Sequence, residues 1–327
     1  MSLWRILLIA LAVEAIGAAA LASLIGMAGP WSGWADVANI LAPVWLVLGV
    51  AAVVLLLVVC PRGRGRSVVL VLAVGGIVAS ATRTVPEWVA AAGPRAPASS
   101  APALKVLTLN AWKDNRAPQE TLAQILATDA DVATVQEWVG VSKIRTSLEA
   151  KYPFSSQCRG RAGWVLVLSR LPVLGRGCVG ETGQRTGPQD IEAVWLTVLA
   201  PDGRPATVMT THIGWPVPPG RQARQSEAIA AVVRRLSTND LILTGDFNTA
   251  PWTYAMDRQD ARLAPLIRRT RALATWPARL PRLEVSWPVP LLPIDHLYAG
   301  PGWTTVSVER VRTAGSDHYG VLATLRR

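Results

Sequence analysis

The 327-residue chain holds only three histidines, all in its second half and all in short polar motifs. His212 closes Thr210-Thr211-His212, His296 follows Asp295, and His318 follows Ser316-Asp317. Between the first two lies Gly245-Asp246-Phe247-Asn248. Histidine titrates nearest to neutral pH, which suits it to proton transfer and to contact with phosphate. Two more polar residues, Asn110 and Glu137, follow apolar runs earlier in the chain. The collection is one of carboxylates, amides and imidazoles, without a nucleophilic Ser or Cys motif and without a Gly-rich phosphate loop. Such donors suit a hard, oxygen-bound cation, Mg2+ or alternatively Mn2+, and an activated water. His296 is weighed toward a supporting role.

The elements that must position these groups follow from periodicity. Leu104 to Leu109, Asp131 to Val135, Gly163 to Ser169, Val173 to Val179, Ile191 to Leu199, Ala206 to Thr211, Leu241 to Thr244 and Val321 to Leu325 read as strands. Pro118 to Ala127 and Arg221 to Leu236 carry apolar residues at helical spacing. The recurring arrangement is an apolar strand with a polar residue at its C-terminal end: Asn110, Glu137, His212, Asp246 and Asn248. Strand ends let polar groups converge without entering the core of a sheet. Asp131 reads as a turn residue and Asp202-Gly203 as a hairpin turn. The segment Ile267 to Leu292 mixes Arg, Trp and Pro; it reads either as a substrate-facing or bilayer-facing loop or as a solvated insertion. Trp112, Trp215 and Trp252 adjoin motifs and are expected to pack at the core or rim.

The first hundred residues are of another kind. Ile6 to Met27 is apolar except for Glu14, and Val37 to Cys60 is rich in Val and Leu. Each suffices for a hydrocarbon core of ~30 Å, which takes ~20 helical residues. A third run, 67 to 82, is shorter and is followed by Arg83; it spans only by tilting or snorkelling. Glu14, near the start of the first span, is expected to be satisfied or partly solvated. Arg5, Arg62, Arg64 and Arg66 mark cytoplasmic ends, whereas the loop from Ala28 to Asp36 holds no basic residue. Three crossings would place the remainder of the chain outside the cytoplasm, and two would keep it inside. Gly93 to Pro102, rich in Pro, Ala and Ser, reads as a semi-rigid linker. The expected organisation is a membrane region over 1–92 (spans about 6–27, 37–60 and 67–82), a linker over 93–103 and a globular domain over 104–327.

The net charge of +11 favours anionic partners such as nucleic acid, phospholipid headgroups or phosphate esters, although no single dense basic stripe stands out. Cys60 ends an apolar run. Cys158 and Cys178 flank a hairpin and pair if that part of the chain sits in an oxidising compartment; two separately buried thiols are the other arrangement.

The ordered series LKVLTLNAW, VQEW, SRLP, TTHIGWP, LTGDFNTAP, IDHLYAG and GSDHYGV resembles the endonuclease/exonuclease/phosphatase superfamily, in that family's order, over Leu104 to Arg327. The apolar first part resembles its membrane-attached bacterial branch. The resemblance implies an α/β (α+β) fold, a four-layer αββα sandwich after about three transmembrane helices, with the site along one edge of the two sheets. It further implies that Glu137 is the main metal ligand, with Asn110 beside metal and phosphate and Asp295 as a further metal-side or orienting carboxylate. Asp246 would orient or deprotonate the attacking water, and Asn248 would hold that water and a phosphoryl oxygen. His212 would face the phosphate. His318 would stabilise developing charge, its tautomer fixed by Asp317.

The expected function is therefore a membrane-anchored, divalent-metal-dependent phosphoesterase of the inner or plasma membrane, its catalytic domain extracytoplasmic. Its partners would be the bilayer and a phosphoester, either a lipid headgroup or a nucleic acid, and no obligate protein partner is evident. The alternative is a membrane scaffold whose domain of this fold is non-catalytic. Such a domain is expected to lose at least one of Glu137, Asp246, Asn248, Asp317 and His318, and all five are present.

Overall fold

The computed structural model describes residues 2–93, 97, 100–158, 164–179, 191–280 and 285–327. These residues form two compact units. One comprises Met1–Ala92 with the short segments Val217–Pro219 and Ala250–Asp257; the other comprises the remainder.

The first unit is helical: α1 (Leu3–Gly26), α2 (Gly33–Asp36), α3 (Ala42–Val59) and α4 (Arg64–Ala91), with a 3-10 turn at Val37–Leu41 before α3. Three stretches, Leu3–Gly26, Gly33–Val59 and Arg64–Ala91, are long and apolar enough to cross a membrane. The third differs from the short run expected over 67–82: α4 has 28 residues and passes through Arg83 and Pro86. A charge ends an apolar run, but it does not end a helix. Small residues, Ala12, Ala19, Ala20, Ala52, Ala73 and Ala79, are buried between the helices, together with Ile16 and Leu56. Ser23 and Ser80 share a hydrogen bond of 2.7 Å between α1 and α4. Glu14 lies exposed on α1.

The second unit is built on strands β1 (Leu104–Asn110), β2 (Val132–Gln136), β3 (Phe154–Ser156), β4 (Val165–Ser169), β5 (Val173–Val179), β6 (Ala193–Leu199), β7 (Pro205–His212), β8 (Leu241–Asp246), β9 (Ile267–Arg268), β10 (Arg279–Leu280), β11 (Val285–Ser286), β12 (Asp295–Ala299), β13 (Thr304–Val311) and β14 (Gly320–Arg326). Its helices are α5 (Pro118–Ala127), α6 (Arg145–Glu149), α7 (Pro219–Val233) and α8 (Tyr254–Leu263), the last beginning in the segment that belongs to the helical unit. One six-stranded sheet runs β13-β14-β1-β2-β4-β3, and a second runs β5-β6-β7-β8-β12-β9. β1 and β2 are parallel, as are β7 and β8; α5 and α7 provide their crossovers. Other pairings within the sheets are antiparallel.

The layers follow from which faces are apolar. Val106, Val132, Val167, Leu196, Val208, Ile242 and Leu297 are buried in one cluster that takes residues from both sheets. Ile125, Trp138, Val141 and Leu148 close the outer face of the first sheet, while Ile229, Val233, Leu263 and Phe247 close that of the second. Two sheets face to face with helices outside make an αββα sandwich. The expected Asp202-Gly203 turn joins β6 to β7, with Gly203 at φ +78° and the Arg204 amide donating to Asp202.

A polar layer crosses the apolar interior. The Gln136 Nε2 donates to Thr210 Oγ1 at 2.7 Å, and the Thr134 and Thr244 hydroxyls share a bond of 2.9 Å, each pair joining β2 to the opposite sheet. Asp131 sits in the bend before β2, as expected of a residue beside a strand, but it does more than turn the chain. It is buried, its Oδ2 accepts the Lys105 amide at 2.7 Å, and its Oδ1 accepts Arg170 Nε and Nη2 at 2.9 and 2.6 Å. An ion pair needs partners distant in sequence, which a local turn signal does not reveal. Cys158 and Cys178 are joined by a disulfide, with Cα atoms 5.5 Å apart. Residues 94–96, 98 and 99 of the expected 93–103 linker lie outside the described residues, as does Gly163 of the expected fourth strand.

Candidate active site

The register of the second sheet lines up three of the expected residues. His212 at the end of β7 lies opposite Asp246 at the end of β8, and Asp246 lies opposite Asp295 at the start of β12. The close approach of β7 and β8 requires Gly245: at φ +151°, a Cβ there would stand 2.1 Å from the Thr211 carbonyl. From the first sheet come Asn110 at the end of β1, Glu137 one residue past β2, and His318 two residues before β14. Antiparallel neighbours thus present their N-terminal ends where parallel strands present their C-terminal ends.

The Asp246 carboxylate is the centre. Its Oδ2 accepts Asn110 Nδ2 at 3.0 Å and Asn248 Nδ2 at 3.2 Å, and it lies 3.5 Å from His212 Nε2 and 3.8 Å from His318 Nε2. Its Oδ1 accepts the Asn248 amide at 2.8 Å. The Asn110 amide also donates to Glu137 Oε1 at 3.1 Å, so it bridges the two carboxylates across the sheets. Glu137 Oε2 accepts the Lys113 amide at 2.7 Å, and Asn248 Nδ2 donates to the Ile213 carbonyl at 2.9 Å. Three residues here take the left-handed backbone region, Trp112 at φ 62°, Glu137 at φ 50° and Asn248 at φ 48°. Such conformations cost energy and persist only where the surroundings impose them.

His318 is held by Asp295. Its Nδ1 lies 2.9 Å from Asp295 Oδ2, while Asp317 Oδ1 stands 4.0 Å from Nε2. This corrects the expectation that Asp317 fixes the tautomer. Asp317 instead accepts Trp276 Nε1 at 3.2 Å, and its carbonyl accepts the Ala278 amide. Asp317 and His318 lie in a bend that turns the Asp317 carboxylate to Trp276, so the neighbour in sequence is not the neighbour in space. Burial opposes charge on His318, but Asp295 and Asp246 more than offset it and push its pKa up to about 10. Burial likewise works against charge on His212, and Asp246 and Glu137 raise it. Asp246 is lowered in spite of its burial, because His318 and His212 face it. Asp295 and Asp317 are raised, both mainly by burial.

The donor set fits a divalent cation. Asp295 Oδ1 and Asp317 Oδ1 are buried without a hydrogen-bond donor, and buried carboxylate oxygens of that kind call for a positive partner. Carboxylate oxygens of Asp246 and Asp295 lie within 4.8 Å of each other, with the His318 imidazole beside both. Glu137 and Asn110 form the opposite edge of the same group through Asp246.

All eight expected residues, Asn110, Glu137, His212, Asp246, Asn248, Asp295, Asp317 and His318, thus lie in one connected cluster. His296 stands apart: its Nε2 meets the Thr249 carbonyl at 2.9 Å and its Nδ1 the Thr270 hydroxyl at 3.1 Å. Supporting residues went unread in the sequence. Ser316 donates to the Asn110 carbonyl at 2.6 Å and accepts the His318 amide at 3.0 Å; its place two residues before a histidine is a hydroxyl-turn signal. The segment 267–292 is not a solvated insertion at this point: the Thr275 hydroxyl accepts the Asp295 amide at 3.4 Å, and the Thr275 carbonyl accepts the Tyr319 amide. Trp252 is buried, whereas Trp215 is 61% exposed with its ring edge on Trp276.

The model of a family described as Endonuclease/Exonuclease/phosphatase matches residues 107–318. Solved structures share the fold. A D. rerio TDP2 complexed with single strand DNA product aligns with TM-score 0.54 and 16% identity over 69% of this chain and 99% of that one. The mannosyl-6-phosphatase Bt3783 of Bacteroides thetaiotaomicron aligns with TM-score 0.52 and 16% identity over 68% and 100%. An endonuclease/exonuclease/phosphatase from Beutenbergia cavernae aligns with TM-score 0.51 and 21% identity over 69% and 72%. No curated protein matches the chain.

Proposed function

Since this chain belongs to the endonuclease/exonuclease/phosphatase family, we propose that it is a membrane-anchored, divalent-metal-dependent phosphodiesterase acting on a lipid headgroup phosphodiester. The observation that carries the reaction class is the register row His212, Asp246 and Asp295, facing Asn110, Glu137 and His318. Residues 1–92 are assigned to the membrane, 93–103 to a tether and 104–327 to catalysis. The Cys158–Cys178 disulfide supports a catalytic domain outside the cytoplasm, because disulfides persist in oxidising compartments. A lipid is favoured over nucleic acid by the exposed apolar residues Val285, Trp287, Val289 and Leu291, which precede Asp295, and by exposed Trp215.

Glu137 and Asn110, with Oδ1 of Asp295, would hold the cation, which when bound supplies positive charge to the non-bridging phosphate oxygens. Asp246, held low and therefore ionised, orients the water and accepts its proton as the oxygen attacks phosphorus. Asn248 and His212 face that water and a phosphoryl oxygen. His318, kept protonated and aimed by Asp295, sets its positive charge against the charge that builds on the phosphoryl group. The bond from phosphorus to the leaving oxygen breaks, and that oxygen takes up a proton from solvent, to which Asp246 returns the one it accepted.

The test is turnover by the purified full-length protein, with Mg2+ or with EDTA, of phospholipid vesicles, DNA, RNA and bis(4-nitrophenyl) phosphate. EDTA-sensitive cleavage of lipid supports the proposal. Cleavage confined to nucleic acid would replace the substrate, and an inert protein with an intact fold would refute the reaction and favour the scaffold alternative.

A further inference from the structure

The segment that follows Asn248 is bound by residues of the helical unit. Ala250–Asp257 belongs to that unit, only two residues beyond Asn248. Helix α8 starts within it at Tyr254, and its first amides are satisfied from two sources. Thr253 caps the helix in the usual way, its hydroxyl accepting the Met256 amide at 3.2 Å and donating to the Ala250 carbonyl at 2.8 Å. The two amides that this cap leaves are taken by Asp36, at the end of α2. Its Oδ1 accepts the Tyr254 amide at 2.9 Å and its Oδ2 the Ala255 amide at 2.7 Å. Asp36 is 4% exposed, and Asn39 Nδ2 donates to its Oδ1 at 2.8 Å. A carboxylate at a helix N-terminus also meets the positive end of the helix dipole.

The neighbouring contacts are of the same kind. Trp252 Nε1 donates to the Ile40 carbonyl at 2.8 Å. Arg83 of α4 donates through Nε to the Trp252 carbonyl at 3.0 Å, pairs with Asp257 at 2.6 Å, and lies 3.9 Å over the Tyr254 ring. Gly29 permits the approach, since a Cβ there would stand 2.4 Å from Tyr254 Cδ2. These bonds join residues more than 160 positions apart in sequence, and a simple tether has no need of them.

We infer that Asp36 and Arg83 are positioning residues: they fix the chain just after Asn248, so that the helical unit keeps Asn248 in its strained, working conformation. From the catalytic unit, Gln222 Nε2 donates to the Asn248 carbonyl at 3.0 Å and His296 Nε2 meets the Thr249 carbonyl at 2.9 Å, so the contacts from Trp252 onward are the added restraint. The inference rests on the phosphoesterase reading above, in which Asn248 contacts the water and the phosphoryl oxygen.

The test uses the full-length protein in detergent micelles, where delivery to a bilayer plays no part. Asp36→Ala, Asp36→Asn and Trp252→Phe are compared with wild type on bis(4-nitrophenyl) phosphate, alongside peptide-level hydrogen exchange over 252–257. Asp36→Ala is expected to lower kcat by about tenfold or more with KM within about twofold, as mispositioning does, and to speed exchange in that segment. Asp36→Asn, which keeps an acceptor, should restore part of kcat. Trp252→Phe, which loses the bond to Ile40 together with part of a buried ring, covers the case in which Asp36→Ala does not fold; its kcat should fall in step with faster exchange. Unchanged exchange, or faster exchange with wild-type kcat, would overturn the inference. A wild type that cleaves no phosphoester would sink the functional proposal instead, and exchange would then decide whether the clamp exists.

Discussion

Replacing Asp295 by Asn should lower both activity and stability. The Asp295 carboxylate is fully buried, and its Oδ2 holds His318 Nδ1 at 2.9 Å. A hydrogen bond to a charged group contributes about 1.5–3 kcal/mol, and each ~1.4 kcal/mol is a factor of ten in rate. Loss of the charge and of the aimed imidazole should therefore lower kcat by about one to two orders of magnitude, the range seen when the partner of a site residue is removed. Stability should fall as well, because neutralising one partner of a buried pair leaves the His318 charge less compensated. The assay is kcat for bis(4-nitrophenyl) phosphate under Mg2+ titration, with thermal unfolding in parallel. If Asp295→Asn kept more than half the wild-type kcat, the orienting role would be refuted. If the loss were recovered at high Mg2+, Asp295 would act through the cation and not through His318.

Other expectations follow from the same contacts. Glu137→Gln should raise the Mg2+ concentration needed for half-maximal rate by about ten- to a hundredfold, and EDTA should abolish turnover while circular dichroism stays unchanged. Asp131→Ala removes the partner of Arg170 and of the Lys105 amide; it should cost about 2 kcal/mol, below values for fully buried pairs because the Arg170 side chain is 33% exposed. Thermal unfolding would show this, with kcat per folded molecule preserved. Reduction of the Cys158–Cys178 disulfide, whose sequence separation is 20, should cost about 3 kcal/mol, seen as a lower unfolding midpoint in dithiothreitol.

Much of the site could be read from the sequence because its residues end apolar runs. Asn110, Glu137, His212 and Asp246 stand where parallel strands stop, and strand and terminus carry one signal. Asp295 and His318 obey the opposite rule, since β12 and β14 run antiparallel to their neighbours and supply their starts. Ordered motifs, not periodicity, identified those two. Strands β3, β12 and β13 and helix α8 were not legible: β3 has only three residues, and α8 depends on Asp36, more than two hundred positions away. The orientation of His318 was misread because sequence adjacency favours Asp317, whereas the fold brings Asp295 from another sheet. Asp131 was underread for a similar reason, since its partner Arg170 arrives from the end of β4.

The polar pairs between the sheets bear on tolerance to change. Apolar side chains that meet across a sandwich reward contact area and are nearly indifferent to a small lateral slide. Gln136 with Thr210, and Thr134 with Thr244, have directional bonds that are satisfied at one offset only. The catalytic groups are divided between the two sheets, so any slip between the layers would pull Asn110 and Glu137 away from Asp246 and His212 together. These four side chains therefore set the alignment of two halves of a machine, and substitutions to Val or Leu there could leave a stable protein whose working parts no longer meet.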